Sequence, residues 1–289
     1  MLGKHVAAVL AGSDAYTLYT CSRSALPPGD LGAIHETVDI SNPAATLAML
    51  DRVKPEVIVH CAAVTDVNLC ERERDYVHAM HVGATETLCS YPSVGRFLYI
   101  STDSVFDGQR GNYTEIDAVN PLNYYARTKL MGEDVVRERG GDYLVLRTNI
   151  LGFQQPLKNS LFEWGYKSLS QGQTINGFSN VYFNALYCGD VAAVILAVLP
   201  GLTAGTYHIG GVGSISKYEF LRAIAEYFKF GVERVNPVLL DLTKFEALRP
   251  LNTVLLLDKI RSAGVSLPSV VDTLDHLFAD FSKTTHNFV

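Results

Sequence analysis

The chain has 289 residues, 48% of them apolar and 19% charged, with a formal net charge of −6. This length supports a full hydrophobic core and two unequal lobes. The acidic balance gives no electrostatic reason for a nucleic-acid partner, and no apolar run reaches the ~20 residues of a membrane span. Cys21, Cys61, Cys70, Cys89 and Cys188 are odd in number, widely spaced and free of any CxxC pair. That usage predicts reduced thiols in a cytoplasmic setting, with neither a disulfide framework nor a metal site.

Residues 3–10 read as a helix with Val6, Val9 and Leu10 on one side and Gly12 placed to end it. Residues 16–21 (YTLYTC) read as a buried strand with Ser22, Arg23 and Ser24 at its end. A Pro/Gly loop leads to a short strand ending at Val38, Asp39 and Ile40, and Asn42-Pro43 opens a helix that Lys54-Pro55 breaks. Residues 57–61 form the next expected strand, followed by the small-residue turn Ala62, Ala63, Val64 and Thr65, and then one long helical stretch over 67–89.

The β-branched and aromatic run over 96–100 predicts a buried strand that delivers Ser101, Thr102 and Asp103 at its C-terminal end. Asn120-Pro121, an N-cap residue followed by proline, opens a helix carrying Tyr125 and Lys129 on one face. Residues 142–146 give another strand, ending in Arg147, Thr148 and Asn149. Hydroxyls at a strand end, a phenol, and an ammonium one turn beyond it make a candidate proton-transfer site for a carbonyl. Alternating strands and helices predict an α/β protein with a parallel sheet covered on both faces, whose ligands bind beyond the C-terminal strand ends. Ser22, Arg23, Asp39, Ile40, Ala62, Ala63, Thr102 and Asn149 all fall there.

Beyond residue 152 the periodicity is less regular. Helices are expected over 161–169, 190–198, 217–228 and 270–281, the third opened by Ser216 with Glu219 closing a capping box. A loop or short strand is expected over 174–184, a short strand over 206–210, and a frayed tail after 282.

Five segments stand in a telling order: VIVHCAAVTDV (57–67), STDSVFDG (101–108), NPLNYYARTKLMGE (120–133), LRTNILG (146–152) and TYHIGGVGSISKYEF (206–220). Together they resemble the extended short-chain dehydrogenase/reductases, and within them the dTDP-4-dehydrorhamnose reductase-like branch. The resemblance implies a Rossmann-type doubly wound parallel sheet over 1–150 and a smaller C-terminal α/β substrate lobe over 151–289, with some chain exchange between them. It implies NAD(P)H-dependent reduction of the 4-keto group of a nucleotide-diphosphate deoxysugar in polysaccharide biosynthesis. A homodimer fits the family, as do two alternatives: a regulatory nucleotide- or sugar-binding protein of the same fold, and an NDP-sugar epimerase.

By the same resemblance Tyr125 is the general acid and Thr102 orients the carbonyl oxygen. Lys129 brings the phenol toward neutrality and binds the nicotinamide ribose. Gly3, Ser22, Arg23, Asp39, Ile40, Ala62 and Ala63 would hold the dinucleotide, the Ser22 hydroxyl and Arg23 guanidinium suiting the 2′-phosphate of NADPH over NADH. Thr65, Asp103, Asn149, Phe178 and Arg249 would surround the nucleotide-sugar, Arg249 matching its phosphate oxygens.

The sequence also departs from the family. Met1-Leu2-Gly3 matches only the end of the TGxxGxxG phosphate loop, without the preceding strand and two of its glycines. That strand would lie between those ending at Cys21 and Cys61, so two unpaired strand edges are expected there, and weak NADPH binding with them. An internal methionine as the recorded start, with about ten residues more upstream, is the leading expectation; a substitute segment or subunit and a degenerate member are the others. His60 and His81 replace customary asparagines and are expected as hydrogen-bonded core histidines, and Ile150 leaves the identity of the sugar open.

Overall fold

The computed structural model describes residues 1–25, 32–242 and 246–286. In chain order the elements are α1 (Leu2–Ala11), β1 (Tyr19–Ser22), β2 (Ile34–Thr37), α2 (Pro43–Val53), β3 (Val57–His60), α3 (Val67–Arg72), α4 (Arg74–His78), a π-helical turn (Ala79–Gly83), α5 (Ala84–Cys89), β4 (Arg96–Thr102), α6 (Tyr124–Arg139) and β5 (Asp142–Thr148). There follow β6 (Ile150–Leu151), α7 (Leu161–Ser170), β7 (Ile175–Phe178), β8 (Tyr182–Phe183), β9 (Leu186–Tyr187), α8 (Cys188–Val198), β10 (Gly205–His208), β11 (Ile215–Ser216), α9 (Lys217–Tyr227), β12 (Val235–Val238), α10 (Asp258–Ser262) and α11 (Val270–His286).

Strands β3, β4, β5 and β10 form one parallel sheet in the order β10-β5-β4-β3. Side chains alternate across a strand, and here both faces are buried. Phe97, Tyr99 and Val145 pack on one side with Leu50, Met80, Leu88 and Val136 from the helices. Leu98, Ile100, Leu144 and Leu146 pack on the other with Leu2, Val6, Leu10, Val191 and Ile195. The sheet is doubly wound, as the strand-helix alternation predicts. The second cluster continues to Phe281, and β10 and α8, which lie beyond residue 151 in the chain, pack against β5 and α1 respectively.

Strands β1 and β2 pair in parallel as a separate two-stranded sheet. Among the described residues β1 bonds only β2 on one side and β3 only β4, so the two expected unpaired edges are present. The gap also explains why residues 16–21 do not form a buried strand. The ladder begins only at Tyr19, which is 39% exposed, and the strand alternates between exposed and half-buried positions.

Other boundaries shift for local reasons. The stretch over 67–89 is not one helix: Glu73 leaves the helical region (φ −109°, ψ 52°), and the π turn follows. The helix bearing Tyr125 starts at Tyr124 because the side chain of Asn123, not Asn120, accepts the Ala126 amide. Asn120 instead donates its amide to the Val105 carbonyl. The last helix runs on to His286, past the expected fraying point. The capping box of Ser216 and Glu219 forms as expected. The five cysteines are unpaired, and no described helix is long and apolar enough to cross a membrane.

Candidate active site

Thr102 ends β4, and its hydroxyl donates to Asp103 Oδ1 at 3.2 Å while accepting the Ser104 amide. Asp103, 2% exposed, gathers donors from distant parts of the chain. Asn149 Nδ2 donates to its Oδ2 at 2.8 Å, the Thr253 hydroxyl donates to the same oxygen, and the Ser104 hydroxyl donates to Oδ1. Burial pushes the Asp103 carboxyl above its ordinary value, and these donors pull against that rise.

Helix α6 is pinned against the same strand end. The Asn123 side chain donates to the Leu248 carbonyl at 2.8 Å, and Glu71 accepts the Tyr124 amide at 2.7 Å. One turn past Lys129, the fully buried Glu133 receives Arg147 Nη2 at 2.7 Å, Arg137 Nη1 at 2.9 Å and the Ser101 hydroxyl, tying α6 to β4 and β5. Gly132 lets the helix approach: a Cβ there would lie 2.2 Å from the Tyr99 hydroxyl oxygen.

In this frame the Tyr125 ring stands edge-on to the His81 ring, with Thr102 and Asp103 both acting on its phenol, and Lys129 Nζ lies 3.9 Å from the centroid of the Tyr99 ring. Burial pushes the phenol up to about 12 and the Lys129 ammonium down to about 7, Glu133 and Cys61 opposing the second shift. Loss of water around the phenol, not Lys129, governs Tyr125 here; Thr102 opposes the rise and the Asp103 charge adds to it. A phenol held this high is a loaded proton donor, and the ammonium is close to half-protonated at neutral pH.

His81 is the hydrogen-bonded core histidine expected, with Nε2 accepting the Val64 amide at 2.9 Å and Nδ1 2.8 Å from the Thr128 hydroxyl. Burial pushes it down to about 3, so it adds no charge change near neutrality. His60 is also buried and pushed down to about 3, but its Nε2 has no hydrogen-bond partner among the described residues; it packs on Phe97 and Tyr99 instead.

The positions expected around a dinucleotide lie on the other side of this strand end. Gly3 is in the first turn of α1 with open space around it, and Ala62 and Ala63 follow β3 in an accessible turn. Arg23 Nη1 donates to the Tyr76 hydroxyl at 2.6 Å and its charge reaches Asp39, whose carboxylate accepts the Ser41 amide and hydroxyl. Ser22 donates to the Ser24 carbonyl at 2.7 Å, and Ile40 is buried beneath. A dinucleotide fits this donor set: among the described residues Lys129 has an ammonium that donates to no protein acceptor, beside small residues at the end of β3.

Of the substrate-side positions, Asp103 and Asn149 join Thr102 and Tyr125. Thr65 is exposed in the turn after β3, Phe178 is half-buried at the end of β7, and Arg249 lies on the strap that Asn123 and Thr253 tie to the site. Thr253 and Asn123 carry no such mark in the sequence. The only local signal for Thr253 is its place four residues after Arg249, and its partner Asp103 lies 150 residues away.

The family model described as RmlD substrate binding domain matches residues 1–283. The "Probable low-salt glycan biosynthesis reductase Agl14" of Haloferax volcanii is 29% identical over 262 residues, covering 85% of this chain and 84% of that one. Methionine adenosyltransferase 2 subunit beta of Rattus norvegicus is 32% identical over 241 residues, covering 80% and 71%. Among solved structures, dTDP-4-dehydrorhamnose reductase from Bacillus anthracis in complex with NADP superposes with a TM-score of 0.79 at 26% identity, covering 88% of this chain and 92% of that one.

Proposed function

The chain belongs to the RmlD substrate binding domain family, and on that footing we propose that it reduces the 4-keto group of a nucleotide-activated deoxysugar with NAD(P)H. The observation that carries the reading is the Tyr125 phenol, set on α6 within reach of the Thr102 and Asp103 side chains at the end of β4 and one helical turn from Lys129. Residues 1–150 form the dinucleotide lobe and 151–289 the substrate lobe, with α8 and β10 returned to the first. The NADP complex of the Bacillus anthracis protein and the Arg23 guanidinium at the rim support NADPH.

When bound, the nicotinamide supplies a hydride. Lys129 would hold the ribose hydroxyls, and Arg23 with Ser22 and Ile40 would take the adenosine end. Thr102 and Tyr125 share the carbonyl oxygen of the sugar. As that oxygen gains charge the phenol gives up its proton, and Lys129 stabilises the phenolate that forms. Asp103 stays behind them, held by Asn149 and Thr253, and fixes the rotamer of Thr102.

The test follows NADPH absorbance with dTDP-4-dehydrorhamnose. Turnover is expected, with Tyr125→Phe losing about 10²- to 10⁴-fold in kcat while retaining NADPH affinity. A variant that keeps most activity refutes the assignment. A second reading, a regulatory binding protein, draws support from the likeness to methionine adenosyltransferase 2 subunit beta. It is favoured if the protein binds dinucleotide and turns over no nucleotide-ketosugar.

A further inference from the structure

The bonds that hold the strap over residues 248–253 join the two elements on which the proton chemistry is built. At one end the Leu248 carbonyl accepts Asn123 Nδ2 at 2.8 Å, and Asn123 is the N-cap of α6, the helix that carries Tyr125 and Lys129. At the other end the Thr253 hydroxyl donates to Asp103 Oδ2, while Asp103 Oδ1 accepts the Thr102 hydroxyl at 3.2 Å. Tyr125 and Thr102 stand on different elements, and the strap runs from one to the other. Between its ends the strap is stiff. The Asn252 amide donates to the Gly108 carbonyl at 2.9 Å, the Tyr182 amide to the Leu251 carbonyl at 2.7 Å, and the Thr253 amide to the Tyr182 carbonyl at 3.1 Å. Two glycines at positive φ let it lie flush on the chain beneath: a Cβ on Gly108 (φ +73°) would stand 2.4 Å from Pro250, and one on Gly111 (φ +72°) 2.3 Å from Asn252 Oδ1. A displacement at Leu248 is therefore passed on toward Thr253 rather than absorbed.

Asn123 suits this junction because its side-chain amide has two unlike ends. Oδ1 accepts the Ala126 amide at 2.9 Å and fixes the first turn of α6, where Tyr125 sits; Nδ2 is then the end that faces the Leu248 carbonyl. Asn123 is 3% exposed, so water does not compete for either bond. Capping alone needs only the acceptor, which a serine or an aspartate supplies equally well. The donor to the strap is what the amide adds.

We propose that Asn123 is a positioning residue that acts through the strap, tying the first turn of α6, and with it the Tyr125 phenol, to Asp103 and Thr102. The inference rests on the reductase reading for its consequence in turnover, and on hydrogen-bond geometry for the tie itself. A phenol and a hydroxyl that share one carbonyl oxygen must keep a fixed spacing, and a misplacement of about 1 Å in such a pair costs on the order of 10²-fold in rate.

The test compares Asn123→Ser, Thr253→Val and the double variant with the wild type, each as the full chain. Asn123→Ser keeps a cap oxygen for α6 and removes the strap donor, so the helix start is preserved. In turnover of dTDP-4-dehydrorhamnose with NADPH, each single variant is expected to lose about 10- to 100-fold in kcat with NADPH affinity unchanged. The double variant is expected to lose no more than the worse single one, because both substitutions cut the same bridge; independent local defects would multiply. A second readout needs no turnover: NMR of tyrosine labelled at Cζ, with the Tyr125 signal assigned by its loss in Tyr125→Phe. That signal is expected to move in the same direction in both single variants. If the wild type reduces the ketosugar and either Asn123→Ser keeps its kcat or the losses multiply in the double variant, the inference is overturned while the reductase reading stands. If the wild type reduces no ketosugar, the reductase reading falls and the Tyr125 signal alone decides: a common shift upholds the tie, and an unmoved signal in Asn123→Ser overturns it.

Discussion

Glu133→Ala probes what holds the catalytic helix in place. Glu133 is fully buried and accepts Arg147 Nε at 3.0 Å and Nη2 at 2.7 Å, Arg137 Nη1 at 2.9 Å and the Ser101 hydroxyl. Removing it leaves the Arg147 guanidinium, 4% exposed and with an Nη1 that has no hydrogen-bond partner among the described residues, as an uncompensated buried charge. Breaking a buried pair in this way costs about 3–5 kcal/mol. At ~2 °C per kcal/mol for a domain of this size, the melting temperature should fall by about 6–10 °C. Burial raises the Glu133 carboxyl, but Arg147, Ser101 and Arg137 more than reverse that and hold it below its ordinary value. A folded value below the unfolded one means that this stability is present above the unfolded value, ~4.3, and fades as the pH falls through the folded one. The assay is thermal unfolding by circular dichroism for both proteins over a pH series. The difference should be full near neutrality and narrow on acidification. A drop under about 2 °C at neutral pH would refute the reasoning, because it would mean that the network holds no net energy.

Two further outcomes follow from neighbouring groups. Lys129→Met should raise the melting temperature at and below neutral pH, with the gain fading toward the ordinary lysine value of ~10.4. The sign follows from burial, which lowers the folded value to about 7, so the unfolded chain binds more protons between the two values and the charged lysine burdens the fold below them; unfolding curves at several pH values check it. Gly132→Ala should destabilise the fold by about 1–3 kcal/mol by denaturant titration, since its Cβ would meet the Tyr99 hydroxyl oxygen at 2.2 Å and the His81 carbonyl at 3.1 Å.

The parts of this site that are local in sequence were readable from it. Tyr125 and Lys129 share a helix face by spacing alone, and Thr102 ends a run whose β-branched and aromatic residues admit only a buried strand. The start of α6 was misplaced because Asn120-Pro121 has the chemistry of a helix opening. In the fold the Asn120 amide is drawn to Val105, and the cap falls to Asn123, whose side chain also reaches the Leu248 carbonyl. The long helix over 67–89 was misread because apolar spacing averages over a π turn, and the turn carries His81 between the Val64 amide and Thr128. Contacts such as Thr253 to Asp103, or Asn123 to the Leu248 carbonyl, join residues far apart in the chain whose local sequence favours only a strap and a helix cap.

The two sides of the site are built with unequal firmness, and the difference bears on how the reaction would be organised. The proton-donating side stands on β4, β5 and α6, which share a continuous ladder, the Glu133 network and the Gly132 contact. The adenosine side stands on β1 and β2, and two strands alone are only marginally stable. Among the described residues no backbone ladder joins β1 to β3. Val38 and Ile40 in the apolar cluster, and Arg23 against Tyr76, join that pair to the rest through side chains. A dinucleotide lying from Arg23 to Lys129 would bridge the two sheets where the backbone does not. Its binding energy would then be divided between holding the ligand and fixing β1 and β2, which lowers net affinity without altering the chemistry at Tyr125. Weak cofactor binding and intact proton delivery are therefore compatible in one chain.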